Sequence, residues 1–371
     1  MLQTRFKGAI RALVMLLSFG VLGAGVDTAS AAAAGRQTSK TKKSASATQK
    51  KKTTVKRTTK KKRYSARAAR ARRARLARAR AAARARQWRE AAEPRFKLNS
   101  DGELVPDVRA AAAIIYNPET NEVLWESNSQ DERSIASITK VMTAAVVFEG
   151  NPDLTREVTI ERSDVSRANH TYLRAGERVT IDDLLHLTLV ASDNAAARAL
   201  ARTSALGASA FIDRMNEKAL ELGLEHTSYA DPSGLNAENV SSAYDMARLI
   251  AFAASDERLA SIMRKQHHTV LTSRRLLNIN NTNQLVGKEG VDVRGGKTGF
   301  ISKAGYCLAT LLRLPQSGQK VAVVVLGARS SAGRFMETRH LFNWLAAKTQ
   351  SLTSLATPAA APAAAVAQPQ P

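Results

Sequence analysis

The chain reads ASITKVMTAAVVF over residues 136–148. Its apolar residues recur at spacings that bury one face of a helix, so the pattern predicts a helix that begins at Ser137. Lys140 would then lie on the same face as Ser137, with its amine able to reach back to the hydroxyl. A serine hydroxyl is a weak nucleophile that needs such a base, and a buried lysine can act as one because desolvation lowers its pKa. The free backbone N–H at the helix start can face a developing oxyanion.

Two further polar motifs follow in the chain. Ser192-Asp193-Asn194 comes after the apolar run 184–190, and Lys297-Thr298-Gly299 comes after two glycines and directly before a predicted strand. The first motif offers a second hydroxyl for proton relay and an amide that can hold a substrate amide. The second offers a charge and a hydroxyl to a substrate carboxylate, and the neighbouring glycines are typical of close backbone approach by a ligand.

Each motif also has an ordinary structural explanation when it is taken alone. The spacing S-x-x-K occurs a second time at Ser39–Lys42, in a polar stretch. S-D-N can be a polar helix cap or an interhelical turn, and K-T-G can be an ordinary turn. The three motifs together, in this order and each in a suitable context, favour a catalytic site over chance.

The chain resembles the low-molecular-mass penicillin-binding proteins, the serine D-alanyl-D-alanine peptidases of cell-wall metabolism, from Asp107 to about Trp344. The stretches that carry the resemblance are ASITKVMT at 136–143, ASDNAA at 191–196, DPSGL at 231–235, NTNQL at 281–285, and KTGF at 297–300 with AGYC at 304–307. The branch that looks most similar is the D-alanyl-D-alanine endopeptidases. The resemblance implies a β-lactamase/DD-peptidase-like α+β fold, in which helices pack an antiparallel sheet and form a helical subdomain.

The resemblance also implies a reaction. Ser137 would be acylated by a peptide that ends in, or is crosslinked through, a D-alanyl bond, and the acyl-enzyme would then be hydrolysed. Lys140 would be the general base, and Ser192 would pass a proton to the leaving amine. The backbone N–H groups of Ser137 and Phe300 would bind the oxyanion. Peptidoglycan stem peptides are the expected substrates, and β-lactams are expected to acylate the same serine as covalent inhibitors.

Substrate binding is implied for the residues of the last two motifs. Asn194 would hold the acyl side chain, and the K-T-G segment would face the carboxylate side. The predicted substrate-binding residues are Asn194, Lys297, Thr298, Gly299 and Phe300. Ile301 departs from the family, which often has a small hydroxyl residue there, so the hydrogen bonding beside the substrate is expected to differ.

Three other functions are alternatives to the endopeptidase. A class A β-lactamase needs a glutamate at the head of an E-x-x-L-N pattern, which does not follow any of the candidates Glu217, Glu221, Glu225 and Glu238. A D-alanyl-D-alanine carboxypeptidase uses the same site but often adds a β-rich domain and an amphipathic anchor, which the Ala/Pro-rich residues after Trp344 do not resemble. A non-catalytic wall-binding protein is disfavoured by the intact motifs. The endopeptidase is therefore preferred.

The hydrophobic patterns predict an α+β domain over residues 96–349, in which the first and last strands pair in one antiparallel sheet. The predicted strands are 111–116, 123–126, 304–314 and 320–328, and the predicted helices are 137–148, 181–200, 208–222, 241–254 and 333–347. Residues 350–371, rich in Ala and Pro, are predicted to be a disordered tail.

The charge of the chain is concentrated before this domain. The formal net charge is +24, and residues 35–95 contain 24 Lys and Arg against two acidic residues, whereas the chain from Phe96 onward is balanced. Residues 32–95 are predicted to be a disordered Lys/Arg/Ala-rich tether, because they contain too few apolar residues to form a core. The tether is expected to be attracted to anionic envelope polymers or a membrane surface, or to be an inert spacer; nucleic acid is unlikely.

Residues 1–31 are predicted to be an export signal. Basic residues precede the apolar run 12–26, which is followed by the small residues Ala29-Ser30-Ala31. The apolar run is short for a membrane-spanning helix, so cleavage is preferred over retention as an anchor. The mature chain is expected to be periplasmic or secreted.

No cofactor or metal is expected. The chain lacks an H-E-x-x-H motif, and the pair His267-His268 is expected at a surface or strand edge rather than on a metal ion. Cys307, the only cysteine, is expected to be a small buried hydrophobe.

Overall fold

The structure is a computed structural model that describes residues 47–356, with side chains described from residue 66 to residue 350. The chain divides into two compact units, residues 1–71 and residues 72–371. The described part of the first unit, residues 47–71, is helical. The predicted export signal lies outside the described residues, as do residues 357–371 of the predicted C-terminal tail.

The centre of the second unit is an antiparallel sheet of five strands within the described residues, in the order β11-β12-β13-β3-β4. The strands of the molecule are β1 (Phe96–Leu98), β2 (Leu104–Pro106), β3 (Ala112–Asn117), β4 (Glu122–Ser127), β5 (Arg133–Ser134), β6 (Glu157–Thr159), β7 (Arg178–Thr180), β8 (Val240–Ser241), β9 (His267–Leu271), β10 (Leu276–Asn280), β11 (Asp292–Ile301), β12 (Gly305–Arg313) and β13 (Lys320–Ala328). The strands outside the central sheet form two-stranded pairs.

The central sheet confirms the predicted α+β topology. β3 and β4 form the predicted hairpin, β12 and β13 form the second, and β13 pairs with β3 so that the first and last parts of the domain meet. The K-T-G motif does not precede a strand as predicted, because Lys297, Thr298 and Gly299 lie inside β11. Their backbone therefore has a fixed register against β12, with Lys297 opposite Ala309.

Alternate residues of the sheet face two separate cores. Along β3, Ala112 and Ile114 belong to a core shared with the helices, whereas Ala113 and Ile115 belong to a second core on the opposite face. Both faces are covered, which is why β3 and β13 are continuous apolar runs rather than alternating ones. The sheet is thus held rigid from both sides, and β11 at its edge carries the K-T-G motif.

The helices of the described residues include those predicted from the sequence and, in addition, helices over residues 47–92, 162–165 and 257–263 that were not predicted. They are α1 (Ala47–Ala92), α2 (Thr139–Glu149), α3 (Arg162–Val165), α4 (Ile181–Leu189), α5 (Asn194–Thr203), α6 (Gly207–Glu221), α7 (Ala243–Ser255), α8 (Glu257–Met263) and α9 (Ser331–Ala356). α9 packs on the second core, and it continues to Ala356, beyond the predicted end of the domain at residue 349.

One predicted helix is divided in two. The helix predicted over residues 181–200 ends at Leu189 and restarts at Asn194, because Ser192 has a φ of +61° that an α-helix cannot contain. Asp193 then caps α5 by accepting a hydrogen bond from the N–H of Ala196 at 3.0 Å. The apolar pattern on either side is helical, so periodicity alone did not reveal this break.

Residues 47–92 of the predicted disordered tether form α1, whereas its residues 32–46 lie outside the described residues. Ala and Arg have high helix propensities, and the end of the helix is anchored: Ala91 is buried, Trp88 packs on the second core, and His340 contacts the carbonyl of Ala92 at 3.1 Å. Among the described residues, no helix combines the length and the apolar character needed to span a membrane.

Candidate active site

Ser137 lies in a 3₁₀ turn, Ala136–Ile138, that leads directly into α2. The α-helix therefore begins at Thr139, slightly later than predicted. Ala136 has a φ of +49°, an unusual conformation for a residue with a side chain, and a strained backbone of this kind is typical of active sites. The turn projects the Ser137 side chain into a cleft while the residues on either side are buried.

Two glycines allow other backbone segments to approach this turn closely. A Cβ atom on Gly234 would overlap the carbonyl group of Ala136 and lie 2.9 Å from the nitrogen of Ser137. A Cβ atom on Gly299 would lie 2.6 Å from the carbonyl oxygen of Ile135 and 3.2 Å from the same nitrogen. Strand β11 and the loop of Gly234 therefore both press against the turn, and neither could do so with a larger residue.

Lys140 is fully buried directly behind Ser137. Its Nζ lies 3.0 Å from Oγ of Ser137 and 2.6 Å from Oδ1 of Asn194, and it also donates to the carbonyl oxygen of Ser233. Burial lowers the pKa of Lys140 to about 7, while the carboxylates of Asp231 and Asp193 act to raise that pKa. A substantial fraction of this lysine is therefore neutral near pH 7.

The contacts of Lys140 also define where its lone pair points. The oxygens of the Asn194 amide and of the Ser233 carbonyl can only accept hydrogen bonds, so a neutral amine directs its two N–H groups to them. Its lone pair is then left facing the Ser137 hydroxyl, which can donate. This is the arrangement that a general base requires.

The loop Asp231–Gly234 holds the Ser233 carbonyl in place. Oδ1 of Asp231 accepts hydrogen bonds from the backbone N–H groups of Gly234 at 3.0 Å and Asn236 at 3.1 Å, and Oδ2 accepts one from that of Ser233 at 3.0 Å. Asn239 adds a side-chain hydrogen bond to Asp231 at 2.6 Å. This stretch carries part of the family resemblance, but nothing in its composition indicates that its backbone contacts Lys140.

The S-D-N motif forms the turn between α4 and α5. Ser192 lines the cleft opposite Ser137, whereas Asp193 is buried and accepts a hydrogen bond from the N–H of Tyr172 at 2.5 Å. Nδ2 of Asn194 donates to the carbonyl of Ala168 at 2.7 Å, and its Oδ1 accepts from Lys140. Both polar atoms of Asn194 are thus engaged within the protein, and the contact with Lys140 is one that sequence analysis did not foresee.

The S-D-N turn and the K-T-G segment both line the cleft, and the K-T-G segment is called the K-T-G wall. Lys297 is fully buried and its Nζ donates to the carbonyl of Thr298 at 3.1 Å; burial, with Lys140 and Arg334 nearby, lowers its pKa well below the ordinary value. Thr298 Oγ1 donates to Oγ1 of Thr282 at 2.7 Å. Phe300 is 50% exposed at the end of the wall and stacks on Tyr306.

The cleft between these walls has a volume of about 600 Å³. Of the predicted site residues, it is lined by Ser137, Ser192, Asn194, Thr298, Gly299 and Phe300, while Lys140 and Lys297 are buried behind it. The lining also includes residues that sequence analysis did not assign to the site: Asn169, His170, Leu235, Thr282, Ser302 and Arg334. Thr282 could have been found from the NTNQL stretch, but Arg334 comes from α9 and had no local signal.

Arg334 connects the K-T-G wall to α9 by hydrogen bonds. Its Nη1 donates to the carbonyl of Gly299 at 3.0 Å and to that of Cys307 at 3.4 Å, and it lies between the rings of Tyr306 and Phe335. Burial lowers its pKa to about 10, so it remains charged at neutral pH. A cation thus lies at the end of the cleft where a substrate carboxylate could be bound.

Comparisons with known proteins agree with this geometry. The profile of the peptidase S11 family, described as D-alanyl-D-alanine carboxypeptidase, matches residues 99–330. A D-alanyl-D-alanine endopeptidase of Pseudomonas aeruginosa is 33% identical over 70% of this chain and 83% of its own length. A D-alanyl-D-alanine carboxypeptidase of Bacillus subtilis is 30% identical over 61% of this chain and 59% of its own length.

The fold is also found among solved structures. The crystal structure of a Streptomyces DD-transpeptidase aligns with a TM-score of 0.60 and 28% identity, covering 64% of this chain and 97% of that protein. The similarity therefore extends over nearly the whole of that protein.

Gly234→Ala tests the close packing at the Ser137 turn. We expect a loss of about 3 kcal/mol or more in the free energy of unfolding, because the new Cβ collides with the backbone at Ala136 in addition to the roughly 1–2 kcal/mol cost of a positive φ. Gly290→Ala is the matched control, since Gly290 has a similar φ, +76°, and open space around it. Urea denaturation of both variants measures the difference; equal losses would contradict the packing role.

Proposed function

The chain belongs to the D-alanyl-D-alanine carboxypeptidase family of serine DD-peptidases, and from that premise we propose that it hydrolyses D-alanyl crosslinks of peptidoglycan through an acyl-enzyme on Ser137. The observation that carries the proposal is the contact of 3.0 Å between Nζ of Lys140 and Oγ of Ser137, made by a lysine whose pKa is lowered to about 7. This pair supplies a nucleophile and its base without any further group.

Acylation begins with the proton of the Ser137 hydroxyl. Neutral Lys140 accepts this proton as Oγ attacks the carbonyl carbon of the D-alanyl bond, which forms a tetrahedral oxyanion. The N–H groups of Ser137 and Phe300 are proposed to bind this oxyanion; the close approach of β11 to the nitrogen of Ser137 supports that role. Collapse of the intermediate breaks the peptide bond, and the leaving amine takes a proton through Ser192.

Deacylation repeats the sequence with water. Lys140, neutral again, accepts a proton from a water molecule that attacks the ester of Ser137, and the proton is then returned to Oγ as the acyl product leaves. Asn194 and Ser233 keep the same two N–H groups of Lys140 occupied in both half-reactions. We therefore give Asn194 a positioning role toward Lys140, in addition to the predicted contact with substrate.

Substrate recognition is assigned to the K-T-G wall. Thr298 presents a hydroxyl to the cleft, with Lys297 behind it and Arg334 at its end. A carboxylate of the stem peptide bound there would gain charge-assisted hydrogen bonds, which are stronger than those between neutral groups. β-Lactams carry a carboxylate next to a reactive amide, so the same wall is proposed to bind them while Ser137 is acylated.

Endopeptidase activity is preferred over carboxypeptidase activity for two reasons, which are the share of each relative's length that is matched and the exposed apolar rim of the cleft. The Pseudomonas relative named as an endopeptidase is matched over 83% of its length, against 59% for the Bacillus carboxypeptidase. The cleft is open, and the half-exposed Phe300 ring at its rim gives a crosslinked leaving peptide an apolar surface to contact. A terminal D-alanine alone would leave this ring uncovered.

A β-lactamase is less well supported by the surroundings of the acidic residues. No glutamate is found among the described residues that line the cleft. Glu217 and Glu221 form ion pairs with Arg214 on α6, and Glu221 forms a second one with Lys218. These carboxylates are occupied on the surface of the helix, so they do not offer a base for rapid deacylation by water.

We propose that the enzyme acts in the cell envelope, where its substrate is found, after export by the predicted signal.

We also propose that the basic region is attracted to anionic envelope polymers. The arginines of α1 between residues 67 and 89 are exposed, and Arg86 forms an ion pair with Glu90. We expect the full chain to cosediment with an anionic wall polymer and to be released by added salt, because exposed charges are screened within about 10 Å at 0.1 M salt. Binding that does not respond to salt would contradict this electrostatic role.

The pKa of Lys140 predicts the pH dependence of acylation. Raising the pH deprotonates the ammonium and supplies the base, so the second-order rate constant for acylation by a fluorescent β-lactam should rise roughly tenfold between pH 6 and pH 8, with its midpoint near 7. Lys140→Arg should lower the rate about a hundredfold or more, because a guanidinium does not deprotonate. A rate that is constant over this range, or a Lys140→Arg variant that keeps the profile, would argue against Lys140 as the base.

The choice of substrate is tested with defined muropeptides. The purified chain is incubated in parallel with a D-alanyl-crosslinked dimer and with a monomeric pentapeptide, and products are separated by liquid chromatography and identified by mass. We expect dimers to be converted to monomers, and Ser137→Ala to be inactive on both substrates. Release of terminal D-alanine without dimer cleavage would identify a carboxypeptidase, and turnover of a β-lactam without a stable adduct on Ser137 would identify a β-lactamase.

A further inference from the structure

Two histidines that are distant in sequence meet outside the cleft. His186 lies on α4 and His268 on β9, and their rings are stacked with centroids 3.8 Å apart. Asp182 lies one turn before His186 on the same helix. One ligand atom from each of these three side chains lies within 4.8 Å of the others. None of the three lines the cleft that contains Ser137.

His186 has one nitrogen engaged and one without a partner. Its Nδ1 donates to the backbone carbonyl of Asp182 at 2.9 Å, which leaves Nε2 as the nitrogen with the free lone pair. The side chain is only 4% exposed, and Nε2 is buried without any hydrogen-bond partner. An unpartnered buried polar atom costs stability, so its retention needs an explanation.

His268 is also held through one ring nitrogen, but through Nε2 and not through Nδ1. Its Nε2 lies 2.9 Å from Oδ1 of Asp183, whose other oxygen accepts a hydrogen bond from the N–H of Leu271 at 3.1 Å. A carboxylate that holds one ring nitrogen while the other remains free is the usual support of a metal-binding imidazole. The backbone carbonyl of Asp182 gives His186 the same kind of support.

We propose that His186, His268 and Asp182 bind a divalent transition metal of the zinc class, with water in the fourth position. Two imidazoles and a carboxylate are a ligand set that zinc accepts, with bonds of about 2.0–2.2 Å and ligand atoms about 3.3 Å apart. Oδ2 of Asp182 now lies 3.5 Å from Nδ1 of His186, so the carboxylate would have to turn toward Nε2, and the ligand atoms would have to draw together from their present limit of 4.8 Å. Asp182 and His268, with 46% and 19% of their side chains exposed, have room to make that adjustment.

The charges around the pair favour a cation on balance. Asp182 and Asp183 supply two carboxylates, whereas Lys265 is the nearby cation that acts against a positive charge on His186. The alternative is a stack of two neutral imidazoles that binds no metal. The two possibilities differ in whether the free lone pair on Nε2 of His186 is bound to a metal ion.

A metal at this position would join two segments that lead to the active site. α4 ends just before the turn that carries Ser192, and β9 pairs with β10, which leads to Thr282 beside the K-T-G wall. The N–H of Thr282 donates to the carbonyl of Val190 at 3.0 Å, so the two segments already meet. A bound ion would stabilise this junction without taking part in acylation.

The test uses the full chain, freed of any purification tag and stripped with EDTA. Titration with Zn²⁺ by calorimetry, and with Co²⁺ by its visible absorption, should give one saturable site, with intense cobalt bands typical of tetrahedral coordination. Saturating Zn²⁺ should raise the midpoint of thermal unfolding by a few degrees, since a ligand that binds the native state stabilises it. Absence of saturable binding by the unsubstituted chain would overturn the proposal.

Substitutions assign the site. His268→Ala should weaken metal binding at least about tenfold, whereas His267→Ala, the adjacent and exposed histidine of the same strand, should leave it unchanged. Asp182→Asn, at a half-exposed position, provides a second test that does not disturb the histidine stack. Equal losses in the two histidine variants, or full binding by Asp182→Asn together with full binding by His268→Ala, would show that the proposed site is wrong. If His268→Ala fails to fold, Asp182→Asn against His267→Ala decides the question.

Discussion

The constraint on which the active site depends is the burial of Lys140 within hydrogen-bond distance of Ser137. An ammonium group loses its hydration when it is buried, and the fold counters this cost by offering fixed oxygen acceptors and by letting the amine become neutral. Those acceptors come from two remote segments, the turn of Asn194 and the loop of Ser233. The turn of Asn194 and the loop of Ser233 must therefore both be packed against α2 before Lys140 has these acceptors.

Close backbone packing is the means by which this assembly is made rigid. The 3₁₀ turn of Ser137 is pressed between the loop of Gly234 and strand β11 at Gly299. β11 is in turn held in register by β12 and by the hydrogen bond from Arg334 of α9, so the position of Ser137 depends on the sheet as well as on its own helix. A site held by backbone contacts of this kind needs little reorganisation during the reaction, which is the main source of electrostatic catalysis.

Much of this arrangement could be predicted from the sequence because it is local. The S-x-x-K spacing placed Ser137 and Lys140 on one turn, and the apolar runs and turns predicted four of the five strands of the central sheet, including the pairing of β3 with β13. The fifth strand, β11, was not predicted. What could not be predicted depends on tertiary contacts. The break at Ser192 interrupts a continuous helical pattern, and the contact of Asn194 with Lys140 joins residues 54 positions apart. The stacking of His186 on His268 likewise joins an unremarkable helix to a strand.

The second buried lysine gives the site a further property. Lys297 and Lys140 are both fully buried, and the positive charge of one disfavours the charge of the other. A carboxylate bound beside Thr298, as proposed, would stabilise the ammonium form of Lys297, since an opposite charge favours the charged form. Repulsion between the two lysines would then favour the neutral form of Lys140, which is the form that could accept the proton of Ser137. With Lys140 as the proposed base, its protonation would in this way be linked to occupancy of the carboxylate side of the cleft, and a peptide that offers no carboxylate there would meet a less reactive Ser137.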